Sequence, residues 1–241
     1  LEHHSIYGMR TTLVNGLAGL SLAASITFVS LGCAKPNGHT ASDTPTVAGS
    51  PVAAASAVTD SLSRTADSSR IQGSPSAKIW VIEVSDFQCP YCKEWHDATY
   101  KMVLDDYVKT GKVRMAYVNF PLSIHAHAHQ AAIAAMCAGA QDKFWQMHDA
   151  LFASQSSWEV LPDPAAMFDS LAKSVGVDEA RYHACLSSPS IAALVAGDQQ
   201  RAKGGGVTAT PSFWVGGKLI EGAIPTSEMK AAIDQALEAT K

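Results

Sequence analysis

The chain has 241 residues, a formal net charge of −4 and 17% charged residues. With no basic stripe and no base-reading motif, nucleic acid is set aside as a partner. Its length suits one or two domains, and because the first third differs in composition from the rest, one folded domain is expected.

Counting from Met9, Arg10 supplies a short positive region and the run from Leu13 to Leu31 carries no charged residue before Gly32-Cys33. This is the form of a secretory leader, expected over 1–33. Residues 1–8 read as upstream sequence, so His3 and His4 enter no metal argument. Val29-Ser30-Leu31-Gly32-Cys33 resembles a bacterial lipobox, whose cysteine becomes the lipidated first residue of the mature protein, although Ser30 stands where leucine is usual. Lipidation at Cys33, cleavage to a soluble form and an uncleaved membrane anchor all export the domain. Residues 34–75 are rich in Ala, Ser, Thr, Pro and Gly and read as a flexible linker to a domain over 76–241. Export implies an oxidising compartment in which paired cysteines persist as disulfides.

Lys78 to Val84 is β-branched and mostly apolar, as a buried strand should be, and Lys93 to Tyr107 keeps helical spacing at Trp95, Met102, Val103 and Tyr107. Between them lies Cys89-Pro90-Tyr91-Cys92, at a strand-to-helix junction. A helix N-terminus stabilises an anion, and Pro90 suits the first helical turn. A cysteine thiol of pKa about 8.5 falls to roughly 3.5–7.5 in such a place. Cys89 is therefore the expected nucleophile, and Cys92, one turn deeper and more buried, the resolving thiol.

Further along, Val113 to Phe120 alternates as a strand expected to run parallel to the first, and Pro121 ends it. His125 to about Ser187 is helical in composition and spacing, with a new start at Pro162-Asp163-Pro164, and Ser190 to Lys203 continues so. Gly204-Gly205-Gly206 breaks that helix. Two short strands around Gly216-Gly217 and a last helix from Thr226 complete the order β-α-β, helices, β-β-α.

This order, with Cys-x-x-Cys after the first strand and Thr210-Pro211 opening the late hairpin, resembles the DsbA-like thiol-disulfide oxidoreductases of the thioredoxin-fold superfamily. Asp86 to Cys92, Phe120-Pro121-Leu122 with His125, Lys143-Phe144-Trp145 and Gly206 to Pro211 match that group's motifs in order. The resemblance implies an α/β thioredoxin fold with an inserted helical subdomain at about 122–204. It implies that Pro211 is cis and lies beside the cysteines, that the backbone at Thr210 docks an extended substrate chain and its side chain touches the redox pair, and that Glu83 is a buried carboxylate relaying a proton near Cys92. Pro90 and Tyr91, between the two thiols, are read as tuning the pair. Some members of the group carry a structural disulfide where Cys137 and Cys185 fall.

On a helix His125 and His129 would share a face, but no carboxylate lies beside them, so neither a metal site nor a cofactor is expected. Trp95 is read equally as core or as part of an apolar substrate surface with Tyr91. The resemblance implies secreted or periplasmic protein substrates, a membrane quinone-linked redox partner of the DsbB or vitamin K epoxide reductase type, and membrane attachment through the N-terminus. The competing reading is a metal-binding or unfolded-protein-binding module that uses the same cysteines without redox turnover.

Overall fold

The computed structural model describes residues 61–240, so the leader, Cys33 and the expected linker up to residue 60 lie outside the described residues. A five-stranded sheet organises the domain, in the order β1-β3-β2-β4-β5. The strands are β1 (Ile71–Gln72), β2 (Ile79–Ser85), β3 (Val113–Asn119), β4 (Ser212–Val215) and β5 (Lys218–Glu221). β2 is central. It runs parallel to β3, from Ile79 opposite Val113 to Ser85 opposite Asn119, and antiparallel to β4. Its apolar β-branched run fits a strand flanked on both sides, with Val81 and Val84 fully buried on opposite faces.

A Cβ period of two puts Ile79, Val81, Glu83 and Ser85 on one face. Helix α2 (Pro90–Trp95) covers that face, followed by a π-helical stretch His96–Tyr100, a short α3 (Lys101–Val103) and a second π-helical stretch Leu104–Val108. The spacing predicts one regular helix from Lys93 to Tyr107. The structure differs because the wider π turns reset the inward face, so that Trp95, Tyr100, Val103, Tyr107 and Val108 are all buried. Trp95 is core, its ring centroid 4.6 Å from that of Phe213. On the opposite face, Val84 packs with Phe120, Ala202 and Val207.

Between β3 and β4 lie α4 (Ala128–Gly139), α5 (Phe144–Ala153), α6 (Gln155–Trp158), α7 (Ala165–Ser174), α8 (Glu179–Leu186) and α9 (Pro189–Gly204). The Ala-rich α4 is buried along nearly its whole length, because small side chains let neighbouring helices approach from all sides. Cys137 in α4 and Cys185 in α8 are joined as a disulfide. The β4–β5 turn places Gly216 and Gly217 at φ +56° and +90°, and a Cβ on Gly216 would meet the Ala236 Cβ at 2.7 Å. Two positive φ angles in a two-residue turn are what glycine supplies cheaply. α10 (Thr226–Glu238) closes the chain against the sheet with Met229 and Ile233.

Two expectations are corrected. The linker expected to reach residue 75 gives way earlier: residues 61–69 form a helix, α1, and Ile71–Gln72 pairs antiparallel with β3. Arg70 is the reason, since its guanidinium is buried against Asp198 of α9, Asp67 and the Tyr117 carbonyl, and Asp198 also accepts from Asn119. The histidine triplet does not share a helical face. His125 precedes α4 and His127 is its N-cap, leaving only His129 inside.

Candidate active site

The turn between β2 and α2 is held from several directions. Cys89 is the extended N-cap of α2 with Pro90 next, and its N–H donates to the Asp86 carbonyl at 3.0 Å. Asp86 is buried and fully used: Oδ1 accepts from Gln88 N at 2.8 Å, and Oδ2 accepts from Leu122 N at 2.9 Å and sits 2.7 Å from His125 Nδ1. Gln88 Oε1 accepts from His127 N at 2.7 Å, tying the turn to the start of the helical insertion. The Gln155 side chain donates to the Phe87 and Cys89 carbonyls. Sequence reasoning missed Gln155 and the caging role of Asp86. The Phe120-Pro121-Leu122 and His125 motif carried a signal for the second, and nothing local marks Gln155.

The thiols differ in their surroundings. Cys89 is 3% exposed and its Sγ lies 3.5 Å from the Thr210 carbonyl; Cys92 is completely buried and accepts weakly from Asp86 N at 3.5 Å. A hydrogen bond from Cys92, against the opposing effect of burial and with help from Thr210 and backbone amides, holds the Cys89 thiol down at about 6. Burial and the neighbouring Cys89 push the Cys92 thiol well above its ordinary value. One thiolate is thus favoured at neutral pH, on the sulfur nearer the surface. The Thr210–Pro211 peptide bond is cis, and its loop is fixed by Ser212 Oγ donating to Ala209 O at 2.7 Å and Gly222 N donating to Pro211 O at 2.8 Å. Tyr91, between the two cysteines, stands 62% exposed.

Glu83 sits in the middle of β2 with no solvent exposure, and burial pushes its carboxyl up to about 7. Tyr117, its neighbour across β3, and Ser85, two residues on, share its face. Both Glu83 oxygens, Ser85 Oγ and the Tyr117 hydroxyl are buried without a close hydrogen-bond partner among the described residues. An interior with so many unpaired polar atoms is a place for ordered water.

The structure therefore brings Cys89, Cys92, Thr210 and Pro211 together at the head of α2, with Glu83 on the strand beneath. A parallel β-α-β unit carrying Cys-x-x-Cys at its helix start, opposite a cis-proline loop, defines a thioredoxin-fold protein. A family model described as thioredoxin matches residues 65–235, and the chain belongs to that family, in its DsbA-like branch with a helical insertion. It is 28% identical over 169 residues to the Bacillus cereus protein named Probable disulfide bond formation protein D, covering 69% of this chain and 77% of that one. The crystal structure of oxidised BdbD from Bacillus subtilis superposes with a TM-score of 0.63 at 25% identity, over 70% of this chain and 92% of that one. The Na(+)/H(+) antiporter NhaA 1 of Salinispora arenicola is 31% identical over 176 residues, 73% of this chain, but the chain spans only 26% of that protein's length. Among the described residues no helix is long and apolar enough to cross a membrane.

Proposed function

We propose that the protein is an extracytoplasmic protein-disulfide oxidoreductase that forms or reshuffles disulfides in secreted proteins through Cys89 and Cys92. The observation that carries this reading is the position of the Cys89 sulfur, at the N-cap of α2 against the Thr210 carbonyl, with its pKa lowered to about 6. In the oxidising direction a substrate thiolate attacks Cys89 of the Cys89–Cys92 disulfide, and Cys92 leaves as a thiolate that takes up a proton. A second substrate thiolate then attacks the mixed disulfide and releases Cys89, so two electrons pass from substrate to the pair.

The pKa asymmetry supports this direction, because a site that stabilises the reduced Cys89 thiolate makes its disulfide more oxidising. Thr210 and Pro211 serve as the docking edge for an extended substrate backbone, Pro90 and Tyr91 tune the pair, and Glu83 relays the Cys92 proton. The leader over 1–33, lipidation at Cys33, a tether over the undescribed part of 34–75 and reoxidation by a membrane quinone-linked partner of the DsbB or vitamin K epoxide reductase type belong to the same proposal. The lipobox-like Val29-Ser30-Leu31-Gly32-Cys33 and the charge-free run from Leu13 support export.

The test is the reduction potential of the pair, read against glutathione, together with oxidation of a reduced peptide dithiol. A value toward about −120 mV marks a disulfide donor, and one near about −270 mV a reductant, which would overturn the proposed direction. Cys92→Ala should trap a mixed disulfide through Cys89, and the absence of any trapped substrate in the presence of reactive peptide would count against turnover at this pair.

A further inference from the structure

A second convergence of side chains takes no part in the proposed disulfide exchange. His96 lies in the π-helical stretch that follows α2, while His148 and Asp149 lie in α5 of the helical insertion. Asp149 Oδ1 stands 2.8 Å from His148 Nδ1 and 3.3 Å from His96 Nε2. One donor atom from each residue falls within 4.8 Å of the others. Ligands about 2.0–2.1 Å from a tetrahedral zinc ion stand about 3.3–3.4 Å apart, so the His96–Asp149 separation already matches one edge of such a site. The 2.8 Å separation is shorter and would open as an ion displaced the hydrogen bond, and the third is no more than 4.8 Å.

We propose that His96, His148 and Asp149 form a binding site for a divalent cation of the zinc class, through His96 Nε2, His148 Nδ1 and the Asp149 carboxylate, with a fourth position open to solvent. Two imidazoles and one carboxylate suit zinc and its first-row neighbours better than the oxygen-seeking calcium and magnesium.

Two further observations fit ligation. Asp97 Oδ1 lies 3.2 Å from His96 Nδ1, the second nitrogen of that ring, in the carboxylate-histidine arrangement that fixes a metal-binding tautomer and leaves Nε2 to the ion. Lys93 Nζ holds the other Asp97 oxygen at 2.8 Å and keeps that carboxylate in place. His148 is wholly buried and its Nε2 has no hydrogen-bond partner. Around it the rings of Phe87, Tyr117, Trp145 and Phe152 cross the imidazole edge to face, with centroids 5.1 to 5.9 Å away. With only aromatic rings around Nε2, Nδ1, 2.8 Å from the Asp149 carboxylate, is the nitrogen placed to ligate. Entry is open from the Asp149 side, whose side chain is 53% exposed.

The site would join the redox helix to the insertion. His96 comes with the element that carries both cysteines, so an ion held here would brace the helix whose N-terminus the Cys89 thiolate uses.

The experiment uses the full chain carrying Cys33→Ser, with Cys89 and Cys92 oxidised to their disulfide, so that no free thiol remains to supply a thiolate ligand. Cobalt(II) is titrated by its visible d–d absorption and zinc by competition. One equivalent is expected to bind without a thiolate-to-cobalt charge-transfer band. His96→Gln and Asp149→Asn should each weaken binding by more than about 100-fold, and Asp97→Asn by about 10–100-fold. Zinc should also raise the melting temperature of the wild-type chain and not that of Asp149→Asn. Asp149 is on the surface, so this variant carries the test even where His96→Gln fails to fold. Undiminished affinity in Asp149→Asn, a thiolate charge-transfer band, or no saturable binding by the wild-type chain would each overturn the site.

Discussion

The side-chain amide of Gln155 donates to the Cys89 carbonyl at 3.1 Å, and to the Phe87 carbonyl at 2.7 Å, from a helix more than sixty residues away in the chain. The turn that leads into the redox helix is thus fastened from the insertion, and both carbonyls are buried beneath it. In Gln155→Ala the Phe87 carbonyl loses this donor, while the Cys89 carbonyl keeps the Lys93 N–H at 3.1 Å, and a buried carbonyl left unsatisfied costs about 1–3 kcal/mol. Denaturant unfolding should show a loss of that size. A change within about 0.5 kcal/mol would mean that water replaces the amide without penalty.

The Cys89 thiol, held at about 6 chiefly by the hydrogen bond from Cys92, should titrate by thiolate ultraviolet absorbance with a midpoint near that value. Cys92→Ala removes the largest cause, and the midpoint should rise toward the free-cysteine value of about 8.5. The same shift sets a pH dependence of stability. Between the folded pKa of about 6 and the unfolded one, the unfolded chain holds more protons, so the reduced protein gains stability as pH rises through this window. That contribution is complete above the unfolded pKa and is lost as pH falls through about 6. The oxidised protein, lacking both thiols, should not show it. Parallel melting curves for the two redox forms between pH 5 and about 9 would refute the assignment.

Where the sequence was legible, the signal was local chemistry. β2 and β3 announced themselves by apolar β-branched residues, the head of α2 by Cys89-Pro90, and the β4–β5 turn by Gly216-Gly217. α1 and β1 were hidden for the opposite reason: residues 61–72 are mostly small and polar, and what orders them is one buried charge, Arg70, meeting Asp198 far along the chain. No window of local sequence carries a pairing across 128 residues. The π-helical stretches escaped similarly, since Trp95, Val103 and Tyr107 are compatible with a regular helix and only the packing of Tyr100 and Val108 requires the wider turns. The cysteines of the redox pair could be read from their spacing. Gln155 could not, because its role depends on where α6 lands.

Glu83 is a carboxyl whose pKa burial raises to about 7, which reverses the sign found for Cys89. Between its unfolded value near 4.5 and about 7, the folded protein holds the extra proton, so this group's contribution to stability is fully present below the unfolded pKa and is lost as pH rises through about 7. Glu83→Gln keeps the shape and removes the titration. Its stability should therefore fall less than that of the wild-type protein between pH 4.5 and 7, and its gain over wild type should be largest above 7. A proton relay adds a kinetic signature: the rate at which a substrate thiolate opens the Cys89–Cys92 disulfide and Cys92 takes up its proton should lose, in Glu83→Gln, a pH-dependent step near 7. If the variant keeps the wild-type profile in both measurements, the carboxyl is neither buried in this state nor a relay.

The disulfide between Cys137 and Cys185 spans 48 residues and pins α4, the most buried helix of the insertion, to α8. Both cysteines lie in the same apolar cluster as Cys89 and Cys92, yet in a different part of the fold's connectivity. Closing a loop of that length removes unfolded-state entropy worth about 4 kcal/mol in the chain-entropy model. The double variant Cys137→Ala with Cys185→Ala also loses some packing, so a drop of about 2–5 kcal/mol in unfolding free energy is expected. The thiolate titration of Cys89 should be unchanged, because none of the groups that set it belongs to α4 or α8. A structural bond predicts this separation of effects. A second redox pair predicts instead that the double variant slows substrate oxidation in proportion to its loss, and measuring stability and oxidation rate on the same preparation distinguishes the two.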